Sequence, residues 1–307
     1  MKNAIVGYTG FVGSNIYEKG CFDGAYNSKN IQEAFGTRPD LLIYAGLRAE
    51  KFLANNAPDK DMELIVEAEN NIKKIAPKKL VLISTVDIFR HPVNVDENST
   101  IETEGLHAYG YNRYQLERWA RENYKDCLIV RLPGLFGKNI KKNFIYDMIR
   151  IIPSMLKKEK MEELSLKEST LLDFYELQEN GFYKVLPLNE EQENSLRKKF
   201  LQVGFSALYF TDSRSSYQFY PLSRLWSDIQ IALENNITLW HPATEPVCAS
   251  ELHSFVMGTE FKNEMKNPPA TYDFKTRFAE IFGGRDGYIC PKEYLLNEIK
   301  DFIGSYR

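Results

Sequence analysis

Tyr109 and Arg113 stand four residues apart, so on a helix their side chains share one face. A phenol titrates at about 10 in water, and a cation held beside it favours the ionised form. A tyrosine so placed can exchange a proton with a carbinol or a ketone near neutral pH. Ser84 and Thr85 end the run Lys79-Leu-Val-Leu-Ile-Ser-Thr85, and either hydroxyl can hydrogen-bond the same substrate oxygen. The competing reading of Tyr109 and Arg113 is a stacked pair on a helix surface.

A third group of residues suits an anion. In Ala4-Ile-Val-Gly7-Tyr-Thr-Gly10-Phe-Val-Gly13-Ser-Asn15 a short apolar run leads into three glycines spaced three apart, then a helix-compatible stretch. A tight turn, a close backbone approach and a helix N-terminus are what a dinucleotide pyrophosphate needs. The spacing is G-x-x-G-x-x-G rather than G-x-G-x-x-G, so an ordinary strand–helix turn stays open. About 20 residues further on, such a site places an Asp or Glu on the ribose. Here the second strand, Gly24 to Ser28, leads into Asn27-Ser28-Lys29. A missing carboxylate and an available cation favour NADP over NAD; as a solvated loop charge, Lys29 would leave both open.

These groups need a frame to hold them together. Asp40-Leu-Leu-Ile-Tyr-Ala-Gly46 follows Pro39 and reads as a buried parallel strand. Its last residues, Ala45 and Gly46, are small enough to let a ligand lie over the strand end. Met62 to Ile75 reads as a helix, with Ile65, Ala68, Ile72 and Ile75 at helical spacing and Pro77 closing it. A second helix runs from Tyr109 to about Tyr124, and Cys127 to Leu132 is a strand ended by Pro133 and Gly134. The alternation predicts βαβ units and a doubly wound, Rossmann-like parallel sheet. Ligands collect at the carboxyl ends of such strands, where Gly7, Gly46, Ser84 and Thr85 all fall. The expected organisation is a nucleotide-binding domain over 1–140 and a smaller, mainly helical substrate domain over 141–307. A charged helical insertion occupies about 141–205 of the latter, with some segments returning to the core.

Composition excludes several classes. The 307 residues are 43% hydrophobic and 26% charged, with a net charge of −3, which argues against a nucleic-acid surface. No run of about 18 apolar residues would span a membrane. The N-terminus enters a strand without the regions of a signal peptide. Cys21, Cys127, Cys248 and Cys290 form no C-x-x-C pair and are expected as buried free thiols in a reducing cytoplasm. His91, His107, His241 and His253 lack ligating spacing, so no metal is assigned.

The motifs together resemble a known family. Gly-Tyr-Thr-Gly-Phe-Val-Gly (7–13), Pro-Asp-Leu-Leu-Ile-Tyr-Ala-Gly (39–46), Leu-Ile-Ser-Thr (82–85), Tyr-Gly-Tyr-Asn-Arg (109–113) and Arg-Leu-Pro-Gly-Leu-Phe-Gly (131–137) occur in the order and spacing of the extended short-chain dehydrogenases/reductases. These are NAD(P)-dependent nucleotide-sugar epimerases, dehydratases and reductases. The resemblance implies Tyr109 as acid/base, with Thr85 and Ser84 orienting the substrate. It implies Gly7, Gly10, Phe11, Val12 and Gly13 in the pyrophosphate turn, and Pro133 and Gly134 near the nicotinamide. The weaker match at 217–228 implies substrate contacts near Arg214 and Gln218. A homodimer through the helices at 62–75 and 109–124 is implied as well.

Two departures stand out. Arg113 replaces a lysine that in the family binds the nicotinamide ribose and lowers the tyrosine's pKa. Arginine keeps the charge but does not relay a proton, which leaves either a retuned enzyme or a cofactor-binding protein that no longer turns over. Ser-Thr-Val-Asp-Ile-Phe (84–89) is closest to dTDP-4-dehydrorhamnose reductases and sugar-nucleotide dehydratases, which often carry Ser-Thr-Asp. Val86 in the third place points away from dehydration, and Asp87 is either a shifted carboxylate or a loop charge.

Overall fold

Short runs of Leu, Ile and Val become the strands of one parallel sheet in this computed structural model, which describes residues 2–306. The strands are Asn3–Val6 (β1), Gly24–Tyr26 (β2), Leu41–Tyr44 (β3), Lys79–Thr85 (β4) and Leu128–Leu132 (β5), with Leu239–Trp240 beside β5. Their order is Leu239–Trp240, β5, β4, β3, β1, β2, each pair parallel. All of β3 and all of β5 are buried, as a sheet covered on both faces demands. The strand order reverses between β1 and β3, so Gly7 and Ala45-Gly46 leave neighbouring strands at a topological switch point.

The helices that fix the site are Phe11–Lys19 (α1), Lys51–Asn56 (α2), Pro58–Ile75 (α3) and Ala108–Asn123 (α4). Expected starts at Ser14 and Met62 were late by a few residues. Pro58 sits at the first position of α3, where its missing N–H costs nothing. Asp59 and Asp61 fill its first turn and Lys73 and Lys74 its last, each complementing the helix dipole. Ile65, Ala68, Ile72 and Ile75 pack with Leu116 and Ala120 of α4 and with β3 and β4 in one apolar core.

The chain divides into two compact units, one of Met1–Ile140, Ser216–Val247 and Thr271–Glu298, the other of Lys141–Ser215, Cys248–Ala270 and Ile299–Arg307. The second has its own core, which includes Ile152, Leu156, Met161, Leu164, Leu196 and Phe200. The expected helices of the charged insertion are Phe144–Arg150, Lys158–Ser165 and Glu190–Val203, the last opened by an Asn189–Gln192 capping box. It also contains an antiparallel sheet of Met155–Lys157, Phe182–Val185 and Tyr175–Leu177, absent from the helical expectation. Strands of three or four residues are too short for alternation to rise above so charged a background.

All four cysteines are free thiols, but only Cys127 and Cys290 are buried; Cys248 is half-buried and Cys21, between α1 and β2, is exposed. Among the described residues no helix is long and apolar enough to cross a membrane.

A buried polar chain ties the sheet to α4. Ser84 donates to Glu117 at 2.5 Å, and Arg131 of β5 donates to the same carboxylate through Nε and Nη2, the latter at 2.7 Å. The other guanidinium arm reaches His241 Nε2 at 3.2 Å. Burial and Arg131 push His241 down to about 3, so its imidazole is neutral, Nε2 accepting and Nδ1 donating to the Lys275 carbonyl at 3.1 Å. Removing one partner of a buried pair leaves an uncompensated charge. Glu117→Ala should therefore cost about 3–5 kcal/mol by chemical denaturation, against a change within about 0.5 kcal/mol for the exposed Glu122→Ala.

Candidate active site

The glycine turn comes first in the chain. Gly7 has φ +90, and a Cβ there would lie 2.4 Å from the Ala45 carbonyl oxygen, so only glycine fits between β1 and β3. A Cβ on Gly13 would lie 2.1 Å from the Gly7 carbonyl oxygen, which lets α1 start against the strand end. The Gly10 amide closes the turn on Gly7 at 2.9 Å. No side chain caps α1 and no acidic residue stands in its first turn, so the positive end of the helix dipole over Phe11, Val12 and Gly13 is left for an anion. These residues fit a dinucleotide pyrophosphate. Ala45 is half-buried and Gly46 exposed beside them. Ser28 and Lys29 are exposed just past β2, where the Lys29 amide donates to Asn27 Oδ1 at 2.9 Å.

The second part of the site is built where α4 meets the end of β4. His107 caps α4, its Nδ1 accepting from the Gly110 amide at 3.0 Å. A Cβ on Gly110 would lie 2.1 Å from the Asp87 carbonyl oxygen, so this glycine lets the first turn of α4 lie on the chain leaving β4. That contact brings Tyr109 beside Thr85, close enough for the hydroxyl to act on the phenol. The Tyr109 amide donates to Asn55 Oδ1 at 3.0 Å, which anchors the same turn to α2.

Arg113, four residues on, lies buried between α4 and α3. It is 4% exposed and forms an ion pair with Asp61 of α3. Its second arm donates to the Arg48 carbonyl at 2.8 Å, and the guanidinium lies over the Tyr109 ring, 4.0 Å from its centroid. Asn112 also donates to Asp61, at 2.9 Å. The cation is thus paired with a carboxylate and a carbonyl, and it stacks on the tyrosine. The phenol shifts the opposite way from the expectation. Burial raises Tyr109 above its ordinary value; Arg113 and the Thr85 hydroxyl lower it, while Asp87 and Asp61 raise it further, and burial prevails.

Two further sequence expectations change. The Ser84 hydroxyl is committed to Glu117, so Thr85 alone of the pair faces Tyr109. Gln218 is 1% exposed, its amide nitrogen donating to the Thr244 and Phe274 carbonyls and its oxygen accepting from the Phe274 amide at 2.9 Å. It clamps backbone and has no polar atom left for a substrate. Arg214, in the other unit, is half exposed and forks onto Asp212 at 2.9 and 2.7 Å. Pro133 and Gly134 are half-buried at the end of β5.

Sequence reasoning missed Asp61, Lys51 and Tyr272. Asp87 accepts from the Tyr272 phenol at 2.9 Å and pairs with Lys51 Nζ at 3.0 Å, and its amide donates to Thr85 Oγ1 at 3.1 Å. Asp61 had a legible signal. It extends the stripe of Ile65, Ala68, Ile72 and Ile75, a carboxylate in an apolar row that needs a buried cation.

A doubly wound sheet with a glycine turn at its switch point defines the class of Rossmann-like dinucleotide-binding folds. A family model described as the RmlD substrate binding domain matches residues 1–163. The chain belongs to that family, within the extended short-chain dehydrogenases/reductases. No curated protein matches it in sequence. Among solved structures, it is similar to a dTDP-4-dehydrorhamnose reductase from Yersinia enterocolitica, at 11% identity and TM-score 0.64 over 100% of this chain and 99% of that one. A dTDP-4-dehydrorhamnose reductase from Bacillus anthracis in complex with NADP is 16% identical at TM-score 0.62, with the same coverage of 100% and 99%. A UDP-glucose 4-epimerase from Thermotoga maritima with UDP-glucose is 12% identical at TM-score 0.63, again over 100% and 99%. At these identities the likeness is one of fold.

Because Arg113 and Asp61 are both buried, Asp61→Asn should cost about 3 kcal/mol of folding stability. Combining it with Arg113→Met should recover at least about 1 kcal/mol of the summed single losses in a double-mutant cycle. Strictly additive losses would show that the pair is not coupled.

Proposed function

We propose that this protein reduces a carbonyl on the sugar of a nucleotide sugar, with NADP or NAD as cofactor and Tyr109 as the proton donor. The observation that carries the reading is the placement of the Tyr109 phenol beside Thr85 at the carboxyl edge of β4, on the sheet whose switch point holds the glycine turn. The reductases and the epimerase that share the fold act on nucleotide sugars by their names, and one was solved with NADP. Gly7 to Gly13 hold the pyrophosphate at the α1 N-terminus, and exposed Lys29, in place of a ribose-binding carboxylate, favours NADP.

A bound nicotinamide supplies the hydride. Thr85 hydrogen-bonds the substrate carbonyl oxygen and orients it toward Tyr109, and the phenol gives its proton to the oxygen as negative charge develops there. A phenol raised by burial stays protonated through the neutral range, which suits a donor and not a base. Reduction is therefore favoured over epimerisation, which first needs a tyrosinate. Assembly as a homodimer through α3 and α4 belongs to the same reading, with Val66 and Tyr111 exposed on those helices.

Fluorescence titration should show saturable binding of at least one cofactor, NADPH more tightly than NADH. Binding of neither would overturn the reading. Against a panel of nucleotide 4-keto sugars, Tyr109→Phe should lower kcat by at least about 100-fold. Equal inactivity of wild type and Tyr109→Phe, with cofactor bound, would leave a binding protein instead.

The pH profile carries a second expectation. A required proton donor is active below its pKa, and Asp61 raises that of Tyr109. Asp61→Asn should move the alkaline limb of kcat to lower pH; an unmoved limb would dissociate Asp61 from the phenol.

A further inference from the structure

Arg113 is buried against Asp61, and a second cation near Thr85 is Lys51, the first residue of α2, which pairs with Asp87. Its ammonium lies 3.0 Å from Asp87 Oδ2, with side-chain exposures of 43% for Lys51 and 20% for Asp87. Asp87 is held from two other sides. Tyr272 donates its phenol to Oδ1 at 2.9 Å, and the Asp87 amide is tied to Thr85 Oγ1 at 3.1 Å. Tyr272 is itself stacked against Tyr217, with ring centroids 6.1 Å apart. The carboxylate is therefore fixed while the lysine, on a flexible stem, is free to swing. Its charge also reaches His107, the cap of α4.

A fixed acceptor and a mobile donor within one hydrogen-bond length of each other match a pair of neighbouring hydroxyls. One hydroxyl gives its proton to Asp87; the other accepts from Lys51. A partly exposed ion pair contributes little, so opening it for a ligand is cheap. Hydrogen bonds from the ligand to the two charged groups offset that opening.

We infer that Lys51 and Asp87 form a hydroxyl-binding subsite beside the reacting carbonyl, selecting sugars that carry hydroxyls next to the carbon reduced at Thr85 and Tyr109. This rests on the reductase reading above and deepens it, since it names the feature of the sugar that the site selects. The pairing also gives Asp87 a role that its displacement from the Ser-Thr-Asp pattern leaves open: it binds ligand and takes no part in dehydration.

The test uses matched pairs of nucleotide 4-keto sugars, with and without the hydroxyl beside the carbonyl, on wild type, Lys51→Met and Asp87→Asn. NADPH binding by each variant is measured first and serves as the check of folding. The loss of kcat/KM should be at least about tenfold larger for the hydroxylated sugar than for its deoxy partner in both variants, chiefly through KM. Equal losses on the two sugars, or no loss on either, would overturn the inference while leaving the reductase reading intact. Wild type that binds NADPH but reduces neither member of any pair would overturn the reductase reading, and the inference with it.

Discussion

A buried ion pair organises the site. Arg113 is 4% exposed, and a guanidinium so buried cannot remain there without a partner. Asp61 supplies it from α3, and the Arg48 carbonyl takes the second arm. Paired on this side, the guanidinium offers its plane as a platform for the Tyr109 ring. One pairing thus joins α3 to α4, seats the tyrosine and sets a carboxylate beside the charge that promotes its ionisation. The protonation state of Tyr109 follows from this: burial is left as the largest influence on the phenol, and two nearby carboxylates reinforce it.

Close backbone approach does the rest of the positioning. Gly7 allows β1 to turn beside Ala45, and Gly110 allows α4 to lie on the chain leaving β4. Neither position tolerates a Cβ, so both halves of the site are set by backbone before any side chain is placed. Beneath them the Ser84–Glu117–Arg131–His241 chain locks β4, β5 and α4 together from the core side. Thr85, one residue further on, faces Tyr109 from a strand held rigid by that chain. Rigid elements hold a proton donor and its orienting hydroxyl in register better than loops do.

The sheet and its helices were legible because β3, β4 and β5 are unbroken apolar runs and α3 carries its stripe at helical spacing. The glycine turn, Thr85 and Tyr109 were legible because each sits at an element end whose type the pattern fixes. The pairing of Arg113 was not, since its carboxylate lies 52 residues away and spacing carries no information at that range. For the same reason the commitment of Ser84 to Glu117 and of Gln218 to the Phe274 backbone escaped the sequence. A polar residue at a strand end reads as a ligand contact until its partner is seen. The short antiparallel sheet at 155–185 was lost in charged sequence, where three-residue strands leave no periodic trace.

Direct observation of Tyr109 tests the central claim. Protein labelled with carbon-13 at the tyrosine phenol carbon can be titrated by NMR, with Tyr109→Phe assigning the resonance. Because burial outweighs the pull of Arg113, Tyr109 should remain a phenol at about pH 10, where an exposed tyrosine is half ionised. A Tyr109 resonance that moves to the tyrosinate position below about pH 9 would contradict the account, since Arg113 would then be acting as a free cation.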